Sequence, residues 1–406
     1  MAFGIALSGL AAAQLDLDVT ANNISNSETS GFKQSRTEFA ELFSSSLQGV
    51  SSLQPGNGVR VAKIAQQFTQ GNIQNTSNSL DLAINGSGFF AVSDGGSLQY
   101  TRAGAFATDN NGYVVNSALQ RLQIYPSLGN GSFNTSQLTD LQLLTAQNAP
   151  AATTAGSAIF NLPANAAPPT ATTFDPIDPT SYNNATSLTV FDSLGAAHTA
   201  TMYFAKTATD NQWHSNLYID GTAVGGAQTL TYSNAGVLTA PATGTINYGT
   251  YTPATGAAAI NIDFNVAQTT QYGSTFSTTS LSQNGYTTGQ LSGISVDSTG
   301  IVQANFTNGQ STALGQVAMV NFANPQGLQK LDGTSWAETF ASGQPMNGTA
   351  GTSGLGVLQS GALEASNVDI TKQLVNMIVA QRNYQSNAQM ISTEKNLTQT
   401  IIDMAR

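Results

Sequence analysis

The chain has no cysteine, which excludes disulfides, thiolate metal sites and a cysteine nucleophile. Only two histidines occur, His198 and His214, with no second ligand at metal spacing, so both read as structural or surface residues. Charged side chains make up 8% of the 406 residues, against about 25% in ordinary soluble domains. Disordered chains are usually rich in charge and poor in aromatics, and this one has 18 Phe and 12 Tyr, so disorder is excluded as well. No basic cluster offers a footprint for nucleic acid. No uninterrupted apolar run approaches the roughly 18 residues of a membrane span, so membrane insertion is not expected.

The remaining charge is unevenly placed. Residues 1–70 hold 4 basic and 5 acidic groups, residues 71–360 hold 4 and 13, and residues 361–406 hold 4 and 4. Near-neutral ends can pack side by side while an acidic middle keeps the object soluble. The ends share a second property, helical periodicity. Phe3, Leu10, Leu17 and Ile24 recur every seven positions, with Leu7, Ala13 and Ala21 between them. A segment free of proline and glycine over 367–404 carries Ile370, Leu374, Met377, Tyr384, Ala388, Ile391, Leu397, Ile401 and Met404 at similar steps. The first stretch resembles a signal peptide superficially. It has no basic n-region, however, and its pattern runs on at helical spacing past Ala13, so a stem helix is the better reading.

Between the ends the signals are those of strands. Leu80-Asp81-Leu82-Ala83-Ile84, Gly88-Phe89-Phe90-Ala91-Val92, Gln99-Tyr100-Thr101 and Gly112-Tyr113-Val114-Val115 read as strands, as does the alternation Ile260, Ile262, Phe264, Val266. Four turns are predicted by a polar residue followed three positions later by Gly: Asp109 with Gly112, Asp192 with Gly195, Ser233 with Gly236, and Asp297 with Gly300. Asp109-Asn110-Asn111-Gly112 has the start of a calcium loop but lacks the distal glutamate, so a hairpin is predicted there too. The Ala/Thr/Pro-rich stretch 150–186 reads as a crossing between domains. In residues 28–72, Phe39, Leu42 and Phe43 suggest one helical turn, with Ser44–46 and Pro55-Gly56-Asn57-Gly58 as loop.

The fold class expected is mainly β with terminal α-helices. Discontinuous, nested domains are predicted: a coiled-coil stem from 1–27 and 366–406, connecting segments 28–72 and 346–365, an inner β-domain from 73–146 and 287–345, and an inserted outer β-domain 147–286. No catalytic, cofactor or metal site is predicted. The stem alone buries too few apolar side chains to offset ordering its backbone, so many copies packing their stems together are expected. A secreted β-rich adhesin or carbohydrate-binding protein would share the Gly/Thr/Asn-rich middle, but it leaves the terminal stripes unexplained.

Two long motifs carry a family resemblance. Ala21-Asn22-Asn23-Ile24-Ser25-Asn26 with Thr29-Ser30-Gly31-Phe32-Lys33 resembles the amino-terminal signature of the axial proteins of the bacterial flagellum, the rod and hook family. The run Gly361-Ala362-Leu363-Glu364-Ala365-Ser366-Asn367-Val368-Asp369 is similar to its carboxy-terminal signature, which continues through Asn376, Gln381, Arg382, Tyr384 and Asn387. Within that family the large insert, with Val190-Phe191-Asp192-Ser193-Leu194-Gly195-Ala196-Ala197-His198, resembles the hook type; a distal-rod type with an enlarged insert is the alternative. The resemblance implies a structural, non-enzymatic subunit of a helical homopolymer that works as a flexible joint. It implies partners too: the distal rod protein, the hook cap and the hook–filament junction proteins. Export through the flagellar type III apparatus without a cleaved signal peptide, and a place outside the cell, are implied likewise.

Overall fold

The computed structural model describes residues 2–42, 56–143 and 147–404. They form two compact units: Met1–Leu144 with Gly293–Asn305 and Ser311–Arg406, and Thr145–Ser292 with Phe306–Gln310.

In the first unit, helix α1 (Ala2–Ser25) leads into strands β1 (Ser35–Glu41) and β2 (Val59–Gln66), and helix α2 (Ile370–Met404) closes the chain. The two helices pack together and run antiparallel: Ala6 lies beside Met390 and Thr393, Gly9 against Asn387, and Thr20 beside Gln373. Beyond the paired region, residues 395–404 of α2 are exposed throughout.

The return of the chain to its starting point is written in β-pairing. Strand β3 (Ile73–Asn75) pairs antiparallel with Ala362–Glu364, and β4 (Leu82–Asn85) with Val357–Ser360. Strands β5 (Phe89–Asp94) and β6 (Ser97–Thr101) then sit inside a 13-stranded sheet that mixes both sequence pieces. Its order runs from Leu291–Val296 through Ile301–Phe306, Ser311–Val317 and Arg121–Pro126 to β5, β6, Ser335–Ala337 and Gln329–Lys330. The unbroken apolar run of β5 follows from burial on both faces. Phe90 and Val92 join a core with Ile84, Val302 and Met319, while Phe89 and Ala91 join an aromatic one with Tyr100, Phe322 and Trp336.

All four predicted turns form, and by one device. In each, the Gly amide donates to the carbonyl of the leading residue, at 2.8–3.1 Å, and the Gly φ is positive. The side-chain oxygen of Asp109, Asp192, Ser233 or Asp297 accepts from the amides two and four residues on. One oxygen of the Asp109 carboxylate is therefore engaged by its own turn, as a hairpin requires.

The second unit is a pair of five-stranded sheets around one core that includes Phe160, Phe204, Trp213, Ile262 and Phe264. Its neck is a ladder in which Asn148 exchanges backbone hydrogen bonds with Gly289, and Ala151 with Tyr286.

Three expectations need correction. The stretch 150–186 is not merely a crossing, because Ala155–Pro163 is a strand bonded to Ile260–Asn265, Thr270–Tyr272 and Ser277–Gln283. Phe39 is not helical; it pairs with Val61 in the β1–β2 hairpin, next to a bulge at Glu38, while Phe43, Ser44–46 and Pro55 lie outside the described residues. Helix α2 begins at Ile370 rather than 367, because Asp369 caps it: its carboxylate accepts from the Lys372 amide at 3.1 Å.

Candidate assembly site at the junction of the chain ends

The predicted stem residues separate into two sets. Along α1, Ala6, Ala13, Thr20 and Asn23 are buried and Gly9 and Asp16 half-buried, a stripe with alternate steps of three and four. It lies one residue, or about 100°, from the stripe of Phe3, Leu7, Leu10, Leu17 and Ile24. That large apolar stripe is not the pairing seam. Phe3 and Leu7 are 50% and 51% exposed, and Leu10, Leu17 and Ile24 are only half-buried. The reason is closeness of approach: a Cβ on Gly9 would lie 2.6 Å from Asn387 Oδ1, so small residues are needed where the helices touch. On α2, Gln373, Met377, Ala380, Tyr384, Asn387 and Ile391 are buried or half-buried, whereas Ile370, Leu374, Leu397 and Ile401 are 44–61% exposed.

At the base of the helices the two terminal motifs meet in a buried polar knot. The Lys33 Nζ donates to Glu364 Oε1 at 2.6 Å and to the Thr69 carbonyl at 2.7 Å, and both ionic side chains are fully buried. The Gly71 amide donates to the same carboxylate oxygen at 2.8 Å. The Arg102 guanidinium lies 3.3 Å from Glu364 Oε2 as an ion pair without hydrogen-bond alignment, and donates instead to the carbonyls of Ile84 and Gly86. Two cations thus share one carboxylate. Burial lowers the Lys33 pKa, with Glu364 opposing and Arg102 reinforcing, and burial lowers that of Arg102 with Glu364 opposing.

Amide side chains complete the junction. Asn23 grips the Ser35 backbone with both ends, Nδ2 to the carbonyl at 2.8 Å and Oδ1 from the amide at 2.9 Å. Asn367 accepts from the Gln34 amide at 2.8 Å and donates to the Gln67 carbonyl at 2.7 Å, so it bridges residues that flank β1 and β2. Asn26 ends α1 by donating to the Asn22 carbonyl. Gly31, at φ +70°, lies against the Arg102–Ala103 backbone and donates its amide to the Glu364 carbonyl. Phe32 is buried under the Lys330 ammonium, 5.0 Å from its ring centre. Val368 is half-buried between Asn367 and the capping Asp369.

The terminal motifs therefore divide by position. Asn23, Asn26, Gly31, Phe32, Lys33, Asn367 and Asp369 build the junction, while Asn22, Asn376, Gln381 and Arg382 are exposed on the helices. Sequence reasoning did not single out Glu364, Arg102 or Gln34 as site residues. A lone Glu in the apolar run Ala362-Leu363-Glu364-Ala365 was the available signal, because a charge there needs a partner. Among the described residues no group of three or more His, Asp or Glu could hold a metal, and no helix is long and apolar enough to cross a membrane.

Similarity to known proteins covers both ends of the chain and its middle. Along its whole length the chain is 40% identical to the flagellar hook protein FlgE of Salmonella typhimurium, over 417 residues and 100% of both chains. The chain belongs to the flagellar hook protein family. The hook protein of Escherichia coli K12 is likewise 40% identical at full coverage, and that of Treponema pallidum is 30% identical over 98% of each. Four family descriptions match in chain order: flagella basal body rod protein at 3–33, flagellar hook protein FlgE/F/G D1 domain at 83–166, flagellar basal body protein FlaE D2 domain at 161–286, and flagellar basal body rod FlgEFG protein C-terminal at 359–404. The fold is similar to that of the Helicobacter pylori hook protein FlgE2, with a TM-score of 0.52 at 13% identity over 72% of this chain and 100% of that one. As a hook family member the chain is a structural subunit of the hook, part of the flagellum that extends outside the cell.

Proposed function

We propose that this subunit builds a tubular, flexible joint by burying its exposed helix stripes against other copies of itself. The observation that carries this reading is the unpartnered apolar surface of the paired helices: Phe3 and Leu7 on α1, and Ile370, Leu374, Ile378, Leu397 and Ile401 on α2, each 44–61% exposed. A helix apolar on more than its packed face has a further surface to cover. Leu10, Leu17 and Ile24 extend the α1 stripe, and exposed Asn22, Asn376, Gln381 and Arg382 are placed to bond neighbouring stems.

In this reading 1–27 and 366–406 form the permanent inner wall around an export channel, and 28–72 with 346–365 connect it to the inner β-domain of 73–146 and 287–345. The outer domain, 147–286, carries Thr, Asn and Gly at its surface and supplies small polar contacts that break and re-form as the joint turns, where a dry apolar contact would lock. The work is mechanical rather than catalytic. Export through the flagellar type III apparatus, and end contacts with the distal rod, the hook cap and the hook–filament junction proteins, complete the proposal.

The test is Leu374→Asp. Because Leu374 is exposed in the monomer, the variant keeps wild-type circular dichroism. A charge placed in a dry contact between copies is expected to raise the concentration needed for tube formation on the order of a hundredfold. Tubes forming at the wild-type concentration would sink the reading.

A further inference from the structure

The second unit holds an ionic cluster that the assembly account does not use. His198 stands in the strand Ala197–Lys206 with its imidazole between two carboxylates: Nδ1 is 2.6 Å from Asp220 Oδ2, and Nε2 is 3.3 Å from Asp192 Oδ2. Each carboxylate is fixed by backbone amides, Asp192 by its own turn and Asp220 by the strand that carries His198. Asp192 Oδ1 accepts the Leu194 and Ala196 amides, and Asp220 Oδ1 accepts the Thr199 amide at 2.9 Å. Neither acid can turn away without losing those bonds.

The cluster also reaches the opposite sheet. Thr255 donates to Asp192 Oδ2 at 3.1 Å, Tyr251 donates to Asp220 Oδ2 at 3.4 Å, and the Ala258 amide donates to Ser193 Oγ at 2.9 Å. The Tyr251 ring packs edge-on to the imidazole at 5.7 Å. Asp192, Asp220 and Tyr251 are the titratable groups that face His198 from these elements, and none is cationic. Residues 145–292 contain six carboxylates and a single lysine, Lys206, so an imidazolium would be one of the few positive charges there.

We propose that His198 is held as an imidazolium that clamps Asp192 and Asp220 together, and that its loss of a proton frees loop 252–259 from the Asp192–Gly195 turn to which Thr255 and Ala258 tie it. With a neutral ring only one nitrogen can donate, so one carboxylate faces a lone pair and the two anions are left with one ring donor and no positive charge between them. Burial opposes the charged ring, but the hydrogen bonds it donates to Asp220 and Asp192, together with their negative charges, outweigh it and raise the His198 pKa. A histidine with a raised folded-state pKa stabilises fully below its unfolded value, about 6.5, and that stability is lost as pH rises through the folded value. The device thus loosens in mild alkali and tightens in acid. Only its exposure to the external medium rests on the tubular reading above.

The experiment is a two-signal titration on the full-length monomer, since His198 and His214 are the only histidines. Imidazole resonances are followed by NMR, with His198→Asn assigning the signal and Asp220→Asn as a second variant should the first fail to fold. The expected midpoint for His198 lies above the ordinary value of about 6.5, falls in Asp220→Asn, and coincides with a tenfold or greater rise in amide exchange of 252–259 beyond its intrinsic pH dependence, about the change expected from losing one charged hydrogen bond. A midpoint at or below the ordinary value, or loop exchange that ignores the titration, overturns the proposal. Neither readout requires assembly, so a failure of the tubular reading would be separate.

Discussion

Replacing Glu364 with Gln is expected to cost the first unit about 3–5 kcal/mol, because it leaves two buried cations facing a neutral amide. Lys33 and Glu364 are both fully buried and Arg102 is nearly so, so solvent cannot take over the lost charge. The measurement is urea unfolding of the first unit, with the midpoint falling and the slope unchanged. The order of variants is diagnostic. Lys33→Met removes one cation and leaves Glu364 with Arg102 and the Gly71 amide, so it should cost less than Glu364→Gln. Glu38→Gln, which loosens a surface ion pair with Arg36 and Lys63, should leave the midpoint in place. Equal losses from Glu364→Gln and Glu38→Gln would mean that the knot adds nothing.

Gly31→Ala is expected to be nearly as damaging, by a different route. Its φ of +70° disfavours any side chain, and a Cβ there would lie 2.4 Å from the Ala103 nitrogen and 2.6 Å from the Arg102 carbonyl carbon. Both neighbours are backbone, so neither can swing aside. Strain of about 1–2 kcal/mol from the left-handed conformation adds to the cost of moving the segment that carries Arg102, just after β6. Amide exchange should show α1 losing protection while the second unit is untouched. Gly4→Ala, with nothing within 4 Å of the new atom, should leave α1 protected, and by helix propensity stabilise it by up to about 1 kcal/mol.

These two sites show where sequence reading reached and where it stopped. The four turns were legible because the polar side chain and the Gly that make each one are three residues apart, so cause and effect share one window of sequence. The double-faced burial of β5 was legible as a continuous apolar run. The helix seam was not. Periodicity draws attention to Phe3, Leu10 and Leu17, yet the close contact is made by Ala6, Gly9 and Ala13, whose value is their small size. The β1–β2 hairpin was hidden by Arg36, Glu38 and Lys63, which alternate charge rather than hydrophobicity along strands with little burial. Lys33 and Glu364 lie 331 residues apart, and no local pattern reports a pairing at that range.

A division of labour follows within the first unit. The small-residue seam and the ionic knot hold α1, α2 and the β-framework in one arrangement inside each subunit, and the large apolar stripes are the surface proposed above to meet other subunits. The most direct test is electron cryo-microscopy of the polymer grown from purified protein, at a resolution that places side chains. The account predicts a tube in which Phe3, Leu10, Leu17, Leu374 and Ile401 are buried between copies while Lys33, Glu364 and Arg102 keep their contacts within each copy. Stripes facing open solvent in the assembled tube, or a knot dismantled on assembly, would contradict it.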